Sequence, residues 1–346
     1  MIAPLQSLRF IFFIMIFLHH YVIDGAGYFP AGGPSGVSFF MILSGFVMSL
    51  AYEEKIAAST ISYGRFISNR IIRLFPLHLL CLSAFILISH NSLSESFFLD
   101  LLPNLFLVQS WIPESSYYFS GNALSWFLSD VLFFCLVFPL IAAFVCRSSP
   151  KKLCIIYFLS LFAYWGGVFL IPESYIHAFI YINPVFRLYD FVLGMIIYKI
   201  YKYMMEHEML FTKYSFVKKS IVEILSLLIL GAFLYMYPYV SPRISLAAYF
   251  WIPSSLLILV FSQGRGIISK LLSNSFLVNM GNKSFSFYMI HLLAFAVLEF
   301  CVNKLQLHLE WYVKLPVYFV IILMGGLLIS RYYEKIIESY LKRKLA

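Results

Sequence analysis

Arg9 and His20 stand eleven residues apart in RFIFFIMIFLHH, the apolar run that opens the chain. At about 100° per residue, eleven steps come to roughly three turns, so both side chains share one helical face about 16 Å apart. A guanidinium in hydrocarbon costs several kcal/mol on the gentlest scales, which makes an intramembrane ionisable pair a site hypothesis by default. The topological alternative puts Arg9 at the near interface and the histidine pair at the far one. An imidazole changes charge near neutral pH and can therefore move a proton. His19 lies about 100° round the helix and reads as a neighbour of His20.

Four further stretches carry candidate residues. SNRIIRLFPLHLL (68–80) sets Arg70 and Arg73 three apart on one helical face. They are either topological anchors or a docking pair for a phosphate-rich ligand, because guanidinium forks bind phosphate bidentately. FRLYDFVLGM (186–195) sets Arg187 and Asp190 three apart inside a span. They either form a structural ion pair, or Asp190 orients a catalytic histidine. GNKSFSFYMIHLL (281–293) carries Ser286, Tyr288 and His291 into a late span, where His291 is either satisfied by a neighbouring helix or part of a site. GPSGVSFFMILSGFVMS (33–49) keeps Ser44 and Gly45 mid-span, and small residues there let helices approach closely.

The elements that must position these residues are membrane helices. The chain has 346 residues, is 62% hydrophobic and 12% charged, and has a mean hydropathy of +0.86. A soluble domain carries about 25% charge, so lipid must solvate most of this chain. The net charge of +9 raises a nucleic-acid reading. The basic residues, however, fall in short clusters between apolar runs, as positive-inside topology requires, and no nucleic-acid partner is expected. The five cysteines form no C-x-x-C pair and read as thiols within spans, so no metal site is expected. The first run lacks an evident cleavage site and reads as a retained helix rather than a signal peptide. No Walker loop, dinucleotide fingerprint, G-x-S-x-G elbow or HExxH pair is present.

Runs long enough to cross lie at 6–24, 36–53, 74–90, 123–146, 153–171, 181–200, 221–238, 245–262, 284–302 and 312–330. Basic clusters at 65–73, 147–152, 199–219, 265–270 and 331–344 should face the cytoplasm. The connections GAGYFPAGGPSG, HNSLSES, IPESYIHAF and PYVSPR should face outside. The run 97–113, broken by Pro103, would reverse the side of 147–152 if it crossed. A re-entrant or interfacial segment keeps every cluster on one side, and such backbone must line a protein-buried or watery cavity. The expected fold class is therefore all-α: a polytopic integral membrane protein of about ten transmembrane helices plus this short segment, with both termini inside.

These stretches, with SWFLSDVLFFCLVFPL (125–140), occur in an order that resembles the membrane acyltransferase-3 family across residues 5–330. The resemblance implies a single membrane acyltransferase domain over 1–346, of the standalone type. It implies a bacterial inner-membrane enzyme that O-acylates, most often O-acetylates, surface or exported carbohydrate such as lipopolysaccharide O-antigen. Acetyl-CoA would be the donor, with no cofactor bound permanently and no metal. Where the family reads W-S-L-S-V-E, this chain reads Trp126-Phe127-Leu128-Ser129-Asp130-Val131, which turns the carboxylate about 100° round the helix. Asp190 occupies a place where the family commonly has an acidic residue.

In this chemistry His20 takes the proton of a sugar hydroxyl as the thioester is attacked, or else carries the acetyl group itself. Arg9 holds a CoA phosphate or steadies the oxyanion, and Arg70 and Arg73 take further phosphates. His19, Ser129, Asp130, Arg187, Ser286, Tyr288 and His291 are supporting candidates. The competing class is a transporter or flippase of lipid-linked glycan, for which the expected internal repeat is not evident. A glycan polymerase would carry a large external loop, and the sequence has none.

Overall fold

The computed structural model describes residues 2–22, 29–58, 60–89, 95–207 and 213–344. The expected loop residues 25–28 and 90–94, the end of the first expected span at 23–24, and residues 208–212 of one basic stretch lie outside these. The described residues form helices and turns, with no strand among them. In chain order the main helices are α1 Ala3–His20, α2 Gly32–Ala57, α3 Tyr63–Ile88, α4 Glu95–Leu105, α5 Trp126–Cys146 and α6 Pro150–Leu170. They continue as α7 Pro184–Glu206, α8 Phe216–Met236, α9 Trp251–Gln263, α10 Ser275–Asn282, α11 Ser284–Lys304, α12 Trp311–Ile329 and α13 Lys335–Lys344.

Eight helical stretches are long and apolar enough to cross a bilayer, and a ninth is the bent pair Glu173–Ile182 plus α7. This is a multi-pass membrane fold. The bend of 44° falls where Pro184 offers no N–H, and Asn183 Oδ1 takes over by accepting from Val185 N at 3.0 Å. The run 245–262, expected as a full crossing, instead gives a four-residue helix, a turn, and α9 of only 13 residues. A helix of that length spans about 20 Å. The turn persists because Arg187 Nη2 donates to the freed carbonyl of Leu246 at 3.3 Å.

Helix α3 starts eleven residues before the run at 74–90, so Arg65, Arg70 and Arg73 lie within the helix and not in a loop. Arginine is a good helix former, and Ser62 Oγ caps the start by accepting from Arg65 N. Helix α4 has 11 residues, about 16 Å, which is too short to cross. Its Asn104 carbonyl reaches back to His78 Nε2, ten residues inside the end of α3.

The inner helices are α1 and α2: 67% of the α2 span is buried, against 17% for α8, which presents most of its surface outward. Helix α2 crosses α7 with backbones in contact. A Cβ on Gly45 would stand 1.9 Å from Phe191 O, and one on Gly194 would stand 1.9 Å from Ile42 O. That reciprocal glycine crossing is the close approach expected of small residues mid-span. Two of the basic clusters lie together beside the end of α2. Lys199 and Lys202 of α7 pair with Glu53 and Glu54 of α2 at 3.1 and 2.9 Å, and Cys146 beside the 147–152 cluster donates to Glu53 O.

Candidate active site

Helix α1 sends Gln6, Arg9 and Ile16 into a cavity of about 340 Å³. Their spacing of three and seven residues makes one helical stripe, and four residues beyond Ile16 the stripe arrives at His20. Helix α3 brings Arg70 and Arg73 to the same cavity, so three of the four arginines singled out from the sequence line it. Helix α2 contributes Ser44 and Tyr52, and α11 contributes Ser284 and Tyr288. Apolar side chains including Phe40, Met48, Phe127 and Val131 complete the lining.

None of the three guanidiniums meets a carboxylate within ion-pair distance among the described residues. Arg9 Nη1 donates to Gln6 Oε1 at 3.0 Å. Arg70 donates to the Tyr52 hydroxyl and lies over the rings of Tyr52 and Phe66, 4.8 and 5.6 Å from their centroids. Its Nε is buried without a hydrogen-bond partner among the described residues, as is Ser284 Oγ. Buried donors left open in a cationic, partly apolar cavity are the arrangement that receives an anion with an apolar arm. Glu334 takes a hydrogen bond of 2.7 Å from Ser286 Oγ and lies within electrostatic reach of Arg73. Ser286 therefore serves the cavity rim indirectly.

At the end of the α1 stripe, His20 Nδ1 lies 3.0 Å from His291 Nε2. His291 is fully buried, and its Nδ1 lies 2.7 Å from the Tyr288 carbonyl. That carbonyl can only accept, so the neutral His291 ring carries its proton on Nδ1 and accepts at Nε2. His20 then donates from Nδ1 and keeps its Nε2 lone pair, the form a proton acceptor needs. Phe13, Tyr288 and Phe295 ring His291 at centroid distances of 6.0, 5.9 and 5.9 Å and hold its orientation. His19 turns away: its Nδ1 lies 3.1 Å from Phe29 O, and its ring packs where a Cβ on Gly33 would stand 2.7 Å away.

The remaining candidates form a separate buried group. Arg187 and Asp190 pair at 3.4 Å with both side chains almost wholly buried, and Arg187 Nε donates to Tyr181 O at 2.8 Å. Asp190 is brought to Arg187, while the ring facing His20 belongs to His291. Asp130 is fully buried, within electrostatic reach of both and beside Ser110. Ser129 accepts from Ser110 at 2.7 Å. Tyr288 bridges the two regions by donating to Leu124 O at 3.1 Å. The sequence reading missed Tyr52, Gln6 and Ser284. Their roles come from helix contacts that no local pattern signals.

Fold and cavity together describe a multi-pass membrane protein with an arginine-lined pocket and, one helical turn beyond its Ile16 wall, a pair of facing imidazoles. Residues 3–333 match the model of the acyltransferase-3 family, an acyltransferase domain, and the chain belongs to that family. The protein is an acyltransferase, and the transporter and polymerase readings give way to it. It is 29% identical over 281 residues to Acyltransferase MdmB of Streptomyces mycarofaciens, covering 75% of this chain and 67% of that protein. It is 36% identical over 69 residues to Protein 2 in picA locus of Rhizobium radiobacter, covering 20% of this chain and 36% of that protein. No solved structure matches.

Proposed function

We propose that the protein transfers an acetyl group from cytoplasmic acetyl-CoA to a hydroxyl of a surface or exported carbohydrate, such as lipopolysaccharide O-antigen. In this reading it sits in a bacterial inner membrane as one domain with both termini cytoplasmic. The observation that carries the proposal is the convergence of Arg9, Arg70 and Arg73, unpaired with any described carboxylate, on a cavity whose α1 wall leads to His20. Half-buried guanidiniums with no carboxylate in ion-pair contact, as Arg9 and Arg70 are, favour an anionic ligand that neutralises them. The CoA phosphates supply that charge, and the apolar lining suits the pantetheine and acyl arm.

His20 Nε2 takes the proton from the acceptor hydroxyl as its oxygen adds to the thioester carbonyl. Arg9, about three turns from His20 and turned back toward Gln6, holds a phosphate of the donor. The tetrahedral adduct collapses with cleavage of the C–S bond, and the CoA thiolate recovers the proton from the imidazolium. His291 positions His20, and Asp190 with Arg187 braces the helices around the site. Membranes containing the protein, incubated with radiolabelled acetyl-CoA, should pass label to polysaccharide. His20→Ala should lower that transfer by about 10²–10⁴-fold at unchanged membrane abundance. A variant that still transfers at the original rate removes His20 as the base.

A further inference from the structure

A second cavity, of about 390 Å³, opens where the connection between α6 and α7 meets the connection between α8 and α9. Glu173, His177, Ser241 and Arg243 supply its polar wall, and none of them lines the arginine cavity. Arg243 Nη1 donates to Ile171 O at 2.8 Å and to Val168 O. It thereby closes the last turn of α6 and fixes the guanidinium at the cleft. Glu173 is exposed and forms no ion pair with Arg243 among the described residues. His177 Nδ1 faces the Tyr118 hydroxyl at 3.4 Å, so Nε2 is the ring nitrogen left for a ligand. The cleft therefore offers an acceptor, a fixed donor, a hydroxyl and an imidazole nitrogen with opposite charges in balance. That is hydrogen bonding in both senses without a net field. It suits a neutral polyol better than a phosphate, which would seek the guanidinium-rich cavity instead.

An unbroken series of aromatic rings connects the two cavities. The His177 ring stands 5.2 Å from Tyr181, Tyr181 stands 5.3 Å from Trp126, and Trp126 stands 6.1 Å from Phe127. Phe127 stands 5.7 Å from Tyr288, and both line the arginine cavity. The Tyr288 carbonyl in turn holds His291 against His20. These rings are packed on one another, with Tyr181, Trp126 and Tyr288 buried, so they form a rigid aromatic wall that couples the position of the cleft to that of the arginine cavity.

We infer that the cleft formed by Glu173, His177, Ser241 and Arg243 docks a neutral, hydroxyl-bearing saccharide and presents the acceptor chain toward His20. The inference rests on the transfer to carbohydrate proposed above. It adds where the acceptor is held and that recognition is through uncharged sugar units.

The test places a bulky group beside the cleft without altering its wall. Tyr239 is 74% exposed, two residues before Ser241. Tyr239→Cys in a Cys301→Ser background is labelled on intact cells with a bulky, membrane-impermeant polyethylene glycol maleimide. Labelled protein should lose transfer to extracted, de-acylated surface polysaccharide by about tenfold or more while still hydrolysing acetyl-CoA, since only acceptor binding is blocked. Prior addition of that polysaccharide should slow labelling, and the same reagent on Cys301 of the unaltered chain should leave transfer unchanged. Glu173→Ala should raise the acceptor KM with the donor KM unchanged. Full labelling without loss of transfer, or an introduced thiol that the reagent cannot reach, overturns the docking role. Absence of acyl transfer in the unlabelled protein fails the broader reading instead, so the two failures are distinct.

Discussion

His20 of α1 and His291 of α11, 271 residues apart in sequence, face each other ring nitrogen to ring nitrogen at 3.0 Å. The buried Tyr288 carbonyl sets the tautomer of the second ring, and that ring sets the tautomer of the first. A glutamine at 291 can still accept from His20 Nδ1 through its amide oxygen, whereas leucine cannot. His291→Leu should therefore reduce kcat by about 10–100-fold, and His291→Gln should recover part of that loss. Acetyl-CoA KM should stay unchanged in both. Equal loss in the two variants, tracking protein abundance, would assign His291 to packing alone.

The glycine crossing of α2 and α7 sets the distance between the helix that carries Tyr52 and the helix that carries Arg187 and Asp190. A Cβ on either glycine would fall 1.9 Å from a backbone oxygen of the other helix, and backbone cannot step aside as a flexible side chain can. Gly45→Val or Gly194→Val should destabilise by about 1–3 kcal/mol or more as the helices are driven apart. Thermal unfolding in detergent reads this directly. Unfolding temperatures equal to that of the parent would show that the two helices have room to separate.

The helices were largely legible from the sequence because each crossing requires an apolar run of fixed length, and basic clusters mark the ends. Run length also misled where charge and helix diverge. The hydropathy of 74–90 stops at Arg73, but the hydrogen-bonded helix continues back to Tyr63 because arginine disturbs solvation and not backbone geometry. At 245–262 the composition is apolar throughout, and the break at 246–250 depends on Arg187 claiming a carbonyl from 59 residues away. The candidate site divides the same way. Arg70 with Arg73 and Arg187 with Asp190 are three apart, so helical periodicity alone puts each pair on one face. Tyr52 on Arg70 and His291 on His20 are side-chain contacts between different helices, α2 with α3 and α1 with α11, and a single sequence carries no trace of them.

Arg187 and Asp190 offer a way to separate bracing from catalysis. Both are almost wholly buried, so removing one leaves the other as an unpaired charge. Arg187→Leu or Asp190→Leu alone should each cost about 3–5 kcal/mol, and the double replacement should be less damaging than either. The measurement is the unfolding temperature of the single and double variants. A single variant with parental stability but no acyl transfer would instead place Asp190 in the chemistry.

Arg70 lies over two aromatic rings, with Tyr52 taking one donor and a buried Nε that has no partner among the described residues. A lysine there keeps the charge but loses the planar fork and the flat face that rests on Tyr52 and Phe66. Arg70→Lys should therefore raise the KM for acetyl-CoA by about tenfold, a loss of about 1.4 kcal/mol in donor binding, with kcat changed little. Arg70→Ala with Arg73→Ala should raise it further. Tyr52→Phe removes only the hydroxyl that orients the guanidinium and should cost less, about 0.5–1.5 kcal/mol. Initial rates across a range of acetyl-CoA concentrations at saturating polysaccharide separate these outcomes. If the double alanine variant keeps its donor dependence, the two arginines revert to anchoring α3 at the membrane boundary. The anion in the cavity would then have to be held by Arg9 alone.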